Sequence, residues 1–148
     1  MAFRANTATQ AQGLLTAMQQ AVFVKQAAQA GVTLLTGNVN ANQIFQIVDN
    51  LRSPLQIFAQ VAAIPGIAAY AQAQFNDATY DVANEFTNMV NTINAVVNWV
   101  VTNFPKDTGG FAQAYTLAAD GSRTPVTFTP TQTAGLTTAL NAVINQIT

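Results

Sequence analysis

Cysteine and histidine are both absent from this 148-residue chain. Without cysteine there is no disulfide framework and no thiolate chemistry. Without histidine the chain lacks the commonest general base, the usual switch near neutral pH and the commonest metal ligand. Charge is nearly absent too. Only 7% of the residues are Asp, Glu, Lys or Arg, and the formal net charge is −1. An ordinary soluble domain carries roughly 25% charged residues. Five basic residues, at Arg4, Lys25, Arg52, Lys106 and Arg123, are too few and too scattered for a dense patch against phosphates. Specific nucleic-acid binding is therefore not expected, although a ring of copies could align one basic residue per subunit. No run of about 18 uncharged apolar residues is present, so no membrane span is expected. The first residues, Met1 to Asn6, lack the long apolar stretch of a signal peptide, which points to synthesis in the cytoplasm.

What replaces charge is Gln, Asn, Thr and Ala, and half the chain is hydrophobic. Interface cores are depleted in charge, and near-zero net charge favours association. A surface partly covered by other copies is the sharper reading of this composition. A monomer with an uncharged polar surface is the plainer one. The length fits one domain, residues 1–148, able to bury a core without covalent staples.

Apolar spacing predicts a mainly α fold. Residues 1–8 read as an amino-terminal arm. A first helix fits Thr9 to Ala30, with Leu14, Met18, Ala21, Val22 and Ala28 on one face. Leu15, Phe23 and Val24 widen that face, and Gly31 reads as its stop. Asn40 and Gln43 form a capping box before Ile44, Ile47, Val48 and Leu51. Ser53-Pro54 predicts a kink, or a new helix capped by Ser53. After the break at Ile64-Pro65-Gly66-Ile67, a short helix fits Gly66 to Gln74. The clearest element is Tyr80 to Phe104, where Val82, Phe86, Met89, Val90, Ile93, Val96, Val97 and Val100 recur at the helical period. Asn84, Asn88, Asn91, Asn94 and Asn98 mark its polar, uncharged face. Residues 111–128 read as a β-hairpin: alternation from Phe111 to Leu117 and from Pro125 to Phe128, with Asp120-Gly121 as the turn. Thr129-Pro130-Thr131-Gln132 opens a last helix, residues 130–147, expected to dock on helix 80–104. The predicted fold is a helical bundle of four to five helices with one β-hairpin before the C-terminal helix.

No catalytic motif is present: no P-loop, GxGxxG, GxSxG or HExxH. Asp77, Asp81 and Glu85 are spaced by four and could share a helix face as a weak cation site. Compensation of the helix dipole explains them more simply. An enzyme is not expected, nor a cofactor or a metal. The candidate interface residues are Phe3 and Arg4 in the arm, Trp99 as an anchor, and Phe111, Tyr115 and Phe128 on a projecting hairpin. Each has a plainer alternative, in which the aromatic side chain belongs to the subunit's own core or covers the end of the bundle.

Several stretches resemble a group of small proteins encoded by tailed bacteriophages. They are Asp49 to Ser53, Ala63 to Ala71, Tyr80 to Phe86, Asn103 to Asp107 and Thr127 to Leu136. Together they span most of the chain beyond residue 49. None is a catalytic signature, so no residue role comes with the resemblance. It implies a virion protein, and a helical subunit of this size is similar to head-to-tail adaptors, which form a ring beneath the portal. The expectation is a connector or neck subunit. Its partners would be copies of itself in a ring or lattice, together with portal or tail proteins. A capsid-decorating or tail protein is the alternative within the virion. A small soluble phage module binding a host or phage partner is a second class, and a membrane-active protein a third.

Overall fold

The computed structural model describes residues 2–147, with side chains from Thr9 to Ile147. The elements in order are α1 (Ala2–Leu34), α2 (Ala41–Arg52), α3 (Leu55–Ala62), α4 (Ile67–Gln74), α5 (Val82–Asn103), β1 (Tyr115–Leu117), β2 (Arg123–Pro125) and α6 (Pro130–Gln146). The fold is mainly helical with an antiparallel hairpin directly before the last helix, as the sequence predicts. With α2 and α3 taken as one element broken at Pro54, the bundle has five helices.

The caps fall where the sequence places them. The Asn40 side chain accepts from the Gln43 amide at 2.8 Å, and the Gln43 side chain accepts from the Asn40 amide at 2.9 Å. Thr129 and Gln132 form the same reciprocal box at the start of α6, with Pro130 at its first position. Each box satisfies two backbone donors that a helix start otherwise leaves unpaired. Asp81 is the cap of α5, accepting from the Asn84 amide at 3.1 Å. Helix α4 ends in a Schellman turn: Asn76 takes φ 50°, and the Asp77 amide donates to the Gln72 carbonyl.

Two local expectations are corrected. Ser53 does not cap α3. It has helical backbone angles and ends α2, and the fully buried Pro54 precedes α3 with no side-chain cap. Gly31 is not a stop, because α1 continues to Leu34. It is buried where α1 meets α2 and α6. A Cβ there would lie 3.1 Å from both Ile47 and Leu140 side chains, so its bareness permits the crossing. The expected arm, residues 1–8, falls largely within α1. Its side chains, Phe3 and Arg4 among them, lie outside the described residues.

Helix α6 packs against both α5 and α1, and α2, α3 and α4 each touch both of these long helices. The core joins Leu14, Ala17, Val24 and Ala28 of α1 to Ile44 and Leu51 of α2, and to Phe58 of α3. Ile93 and Val96 of α5 and Leu136, Leu140 and Val143 of α6 complete it. No polar or charged side chain among the described residues is buried. On α5 Val82, Met89, Ile93, Val96 and Val100 of the predicted stripe are buried, while Phe86, Val90 and Val97 are half-buried. Of the Asn face, Asn84, Asn91, Asn94 and Asn98 are exposed and Asn88 is half-buried. On α1 the expectation is half right. Leu14 and Ala28 are buried, but Met18 and Val22 are about half exposed. The contacts of α1 run through small residues instead. Gly13, Ala17, Ala28 and Gly31 let neighbouring helices come close, and this leaves the larger side chains outside.

Among the described residues no single helix is long and apolar enough to cross a membrane. One pair, Ala41–Ala62 with Ile67–Gln74, reaches the length and composition of a span only together, and it is bent by 101°.

Candidate functional site

Asp77 lies in the loop before α5, not on it, so Asp77, Asp81 and Glu85 do not share a helix face. The Asp77 carboxylate accepts from the Thr79 amide at 2.9 Å and from its hydroxyl at 2.6 Å. These bonds hold its pKa below the ordinary value. Asp120 does the same with Ser122 in the hairpin turn, again with a lowered pKa. Asp107 accepts from the amides of Gly109 and Phe111 and from the Gln113 side chain. Four of the six acidic residues thus shape a loop or cap a helix. No group of three or more acidic residues among the described ones could hold a metal ion.

The predicted interface aromatics separate into two sets. Trp99 donates its indole N–H to the Gln132 carbonyl at 2.8 Å and packs against Phe104 and Phe128. Phe104 in turn meets Phe45 and Phe128, at centroid distances of 4.7 and 5.0 Å. Asn103 and Gln132 bond to each other beside this cluster. Trp99 and Phe128 therefore join the end of α5 to the start of α6, within one subunit. Tyr115 is half-buried beneath the Arg123 guanidinium, 4.5 Å from its ring centroid. Phe111 is the remaining one, and it is 72% exposed.

The hairpin is shorter than the alternation predicts. Its ladder pairs Tyr115 with Pro125, Thr116 with Thr124 and Leu117 with Arg123. Phe111 lies outside it, because Asp107 gathers the Gly109 and Phe111 amides into a tight turn. Phe128 lies outside it because it turns into the aromatic cluster. At the tip, the Gly121 amide donates to Ala118 and the Ala118 amide to Ser122, with Gly121 at φ 85°. This is the type I turn with a glycine bulge that suits a three-residue hairpin loop. The two strands pack on each other and scarcely on any helix. Leu117, near the tip, is 68% exposed.

A concavity lies at the other end of α5. It is a cleft of ≈ 340 Å³ walled by Met18 and Val22 of α1, Phe75 after α4, Phe86 and Met89 of α5, and Ile147. A shallower groove continues it along α1 past Leu15 to Tyr70. Leu15, Met18 and Val22 stand at helical spacing and are all about half exposed, so they form a stripe along the rim. Glu85 is the single charged residue of the cleft wall. Tyr80 beside it packs against Phe75 with the rings tilted and their centroids 4.8 Å apart. Burial, and secondarily the Glu85 charge, raises its phenol pKa.

Residue-by-residue reading of the sequence did not single out this stripe or Leu117. The stripe was mixed with the core residues of α1 in one broad apolar face. In the folded chain they separate along Gly13, Ala17, Ala28 and Gly31, where the neighbouring helices approach. Comparison with protein-family models, with curated proteins and with solved structures finds no match to this chain.

Proposed function

We propose that this chain is a non-enzymatic structural subunit of a tailed-phage virion, placed at the head-to-tail connector, that works by assembling with copies of itself and with neighbouring virion proteins. The phage setting rests on the resemblance in sequence. The mode of action rests on one observation of the surface. An apolar cleft and its rim of Leu15, Met18, Val22 and Phe75 lie open on a molecule with very little charge. A contiguous apolar surface of this kind, with Glu85 as the single charge in its wall, marks a protein contact. The Asn-rich face of α5 offers no charge to repel a second copy. The exposed Phe111 and Leu117 add apolar contacts far from the cleft. No cofactor, metal or specific nucleic-acid contact enters this reading.

A decorating or tail position in the virion would use the same surfaces. A soluble module that binds an apolar segment of a host or phage partner is the second reading, because ≈ 340 Å³ falls within the usual range of binding pockets. Light scattering of the purified chain, with mass spectrometry of purified phage particles, tests the proposal. The expected result is a defined oligomer and a stoichiometric band in the particle. A monomer that is absent from particles overturns it and leaves the module reading.

A further inference from the structure

The molecule carries an apolar projection and an apolar recess that it cannot bring together by itself. The projection is the hairpin β1–β2, which follows the carboxyl end of α5. The recess is lined by the first turns of α5, at Glu85, Phe86 and Met89, and by the end of α6. Helix α5 has 22 residues and is about 33 Å long. The recess lies in its first two turns and the hairpin follows its last, so most of the helix separates them. The hairpin hardly touches the helices of its own subunit and leaves Leu117 uncovered.

The charges match as well. Leu117 pairs directly with Arg123 across the hairpin, and the guanidinium lies over Tyr115 two residues away. Leu117, Tyr115 and Arg123 therefore share one face, which is apolar with a single cation. The recess is apolar with a single anion, Glu85.

We propose that the hairpin of one copy seats in the α1–α5 cleft of the next copy, with Leu117 against Met18, Val22 and Phe75, and Arg123 facing Glu85. This rests on the assembly reading above and names the self-contact it requires. Two different patches are joined, so the contact is head-to-tail. Repeated, it closes into a ring or runs on as an open filament. Burying Leu117 supplies affinity, while the Arg123–Glu85 pair fixes orientation and excludes wrong partners.

The test uses the full chain, with size measured by light scattering and folding checked by circular dichroism. Leu117→Asp changes an exposed hairpin side chain, so the bundle stays folded and the oligomer is lost. Val22→Asp spoils the cleft and gives the same loss. Mixing these two variants leaves one intact hairpin and one intact cleft, so the mixture forms a one-to-one dimer and nothing larger. Arg123→Glu and Glu85→Arg each weaken assembly about tenfold, and the double reversal restores most of it. If the natural chain assembles while Leu117→Asp assembles equally well, the hairpin contact is wrong and the broader assembly reading stands. If Leu117→Asp and Val22→Asp both dissociate but never pair on mixing, the head-to-tail geometry is wrong. If the natural chain is a monomer at high concentration, both readings fall.

Discussion

The two ends of helix α5 use similar side chains to opposite effect. At the carboxyl end, Trp99, Phe104, Phe128 and Phe45 pack on one another, and the indole N–H, Asn103 and Gln132 find partners within the subunit. At the amino end, Phe75, Met18, Val22 and Phe86 line a cleft, and the first three of these stay at least 40% exposed. Both ends are rich in large apolar residues. What differs is closure. The hairpin's return strand delivers Phe128 and the cap of α6 onto the first end, and among the described residues nothing comparable covers the second. Aromatic content therefore does not tell a core from a contact surface. The local supply of neighbours does.

Four substitutions sharpen that contrast. Phe104→Ala strikes the closed end, where the ring is 4% exposed. It should lower unfolding free energy by about 3–5 kcal/mol in denaturant titration. Gly31→Val is next. Its side chain would enter the crossing of α1 with Ile47 and Leu140, and a loss of about 2 kcal/mol is expected from overpacking. A neutral result there would show that the crossing has slack. Gln132→Ala removes the reciprocal cap of α6 and the bond to Asn103. About 1 kcal/mol should be lost, with the midpoint shifted and the slope unchanged. Val22→Ser lies at the open end. Unfolding of the dilute chain should change by no more than about 0.5 kcal/mol, while association weakens. A Val22→Ser loss as large as that at Phe104 would show the open end to be part of the core, and the contrast between the two ends would fail.

Much of the fold was legible because its signals are local. Asn40 with Gln43, and Thr129 with Pro130 and Gln132, announce helix starts through bonds three residues apart. The apolar period of α5 crosses six turns with no interruption. Asp120-Gly121 announces the hairpin turn, since Gly121 takes a positive φ. Other positions were ambiguous for a physical reason. Gly31 can end a helix or admit a close neighbour, and only the presence of Ile47 and Leu140 selects the second role. Ser53 before Pro54 has the chemistry of a cap, but its backbone stays helical and its side chain caps nothing. The alternation from Phe111 to Leu117 promised one long strand. The Asp107 turn, which draws in the Gly109 and Phe111 amides, cuts that strand to three residues.

The candidate surfaces divide in the same way. Phe111 could be named from sequence and is the most exposed large apolar residue described. Trp99 and Phe128 could be named only as alternatives, and the packing of α5 on α6 draws both inward. Leu15, Met18 and Val22 share an apolar helix with Leu14, Ala17 and Val24, and no rule of spacing says which set meets a neighbour.

By itself the sequence determined the helix content, the caps, the hairpin and the near-absence of charge, because each depends on residue types a few positions apart. The tertiary structure alone decided which apolar face of α1 lies open and where the cleft and the hairpin stand relative to each other. Exposure is a property of how distant segments are arranged: a side chain is left uncovered only when every other part of the chain has gone elsewhere.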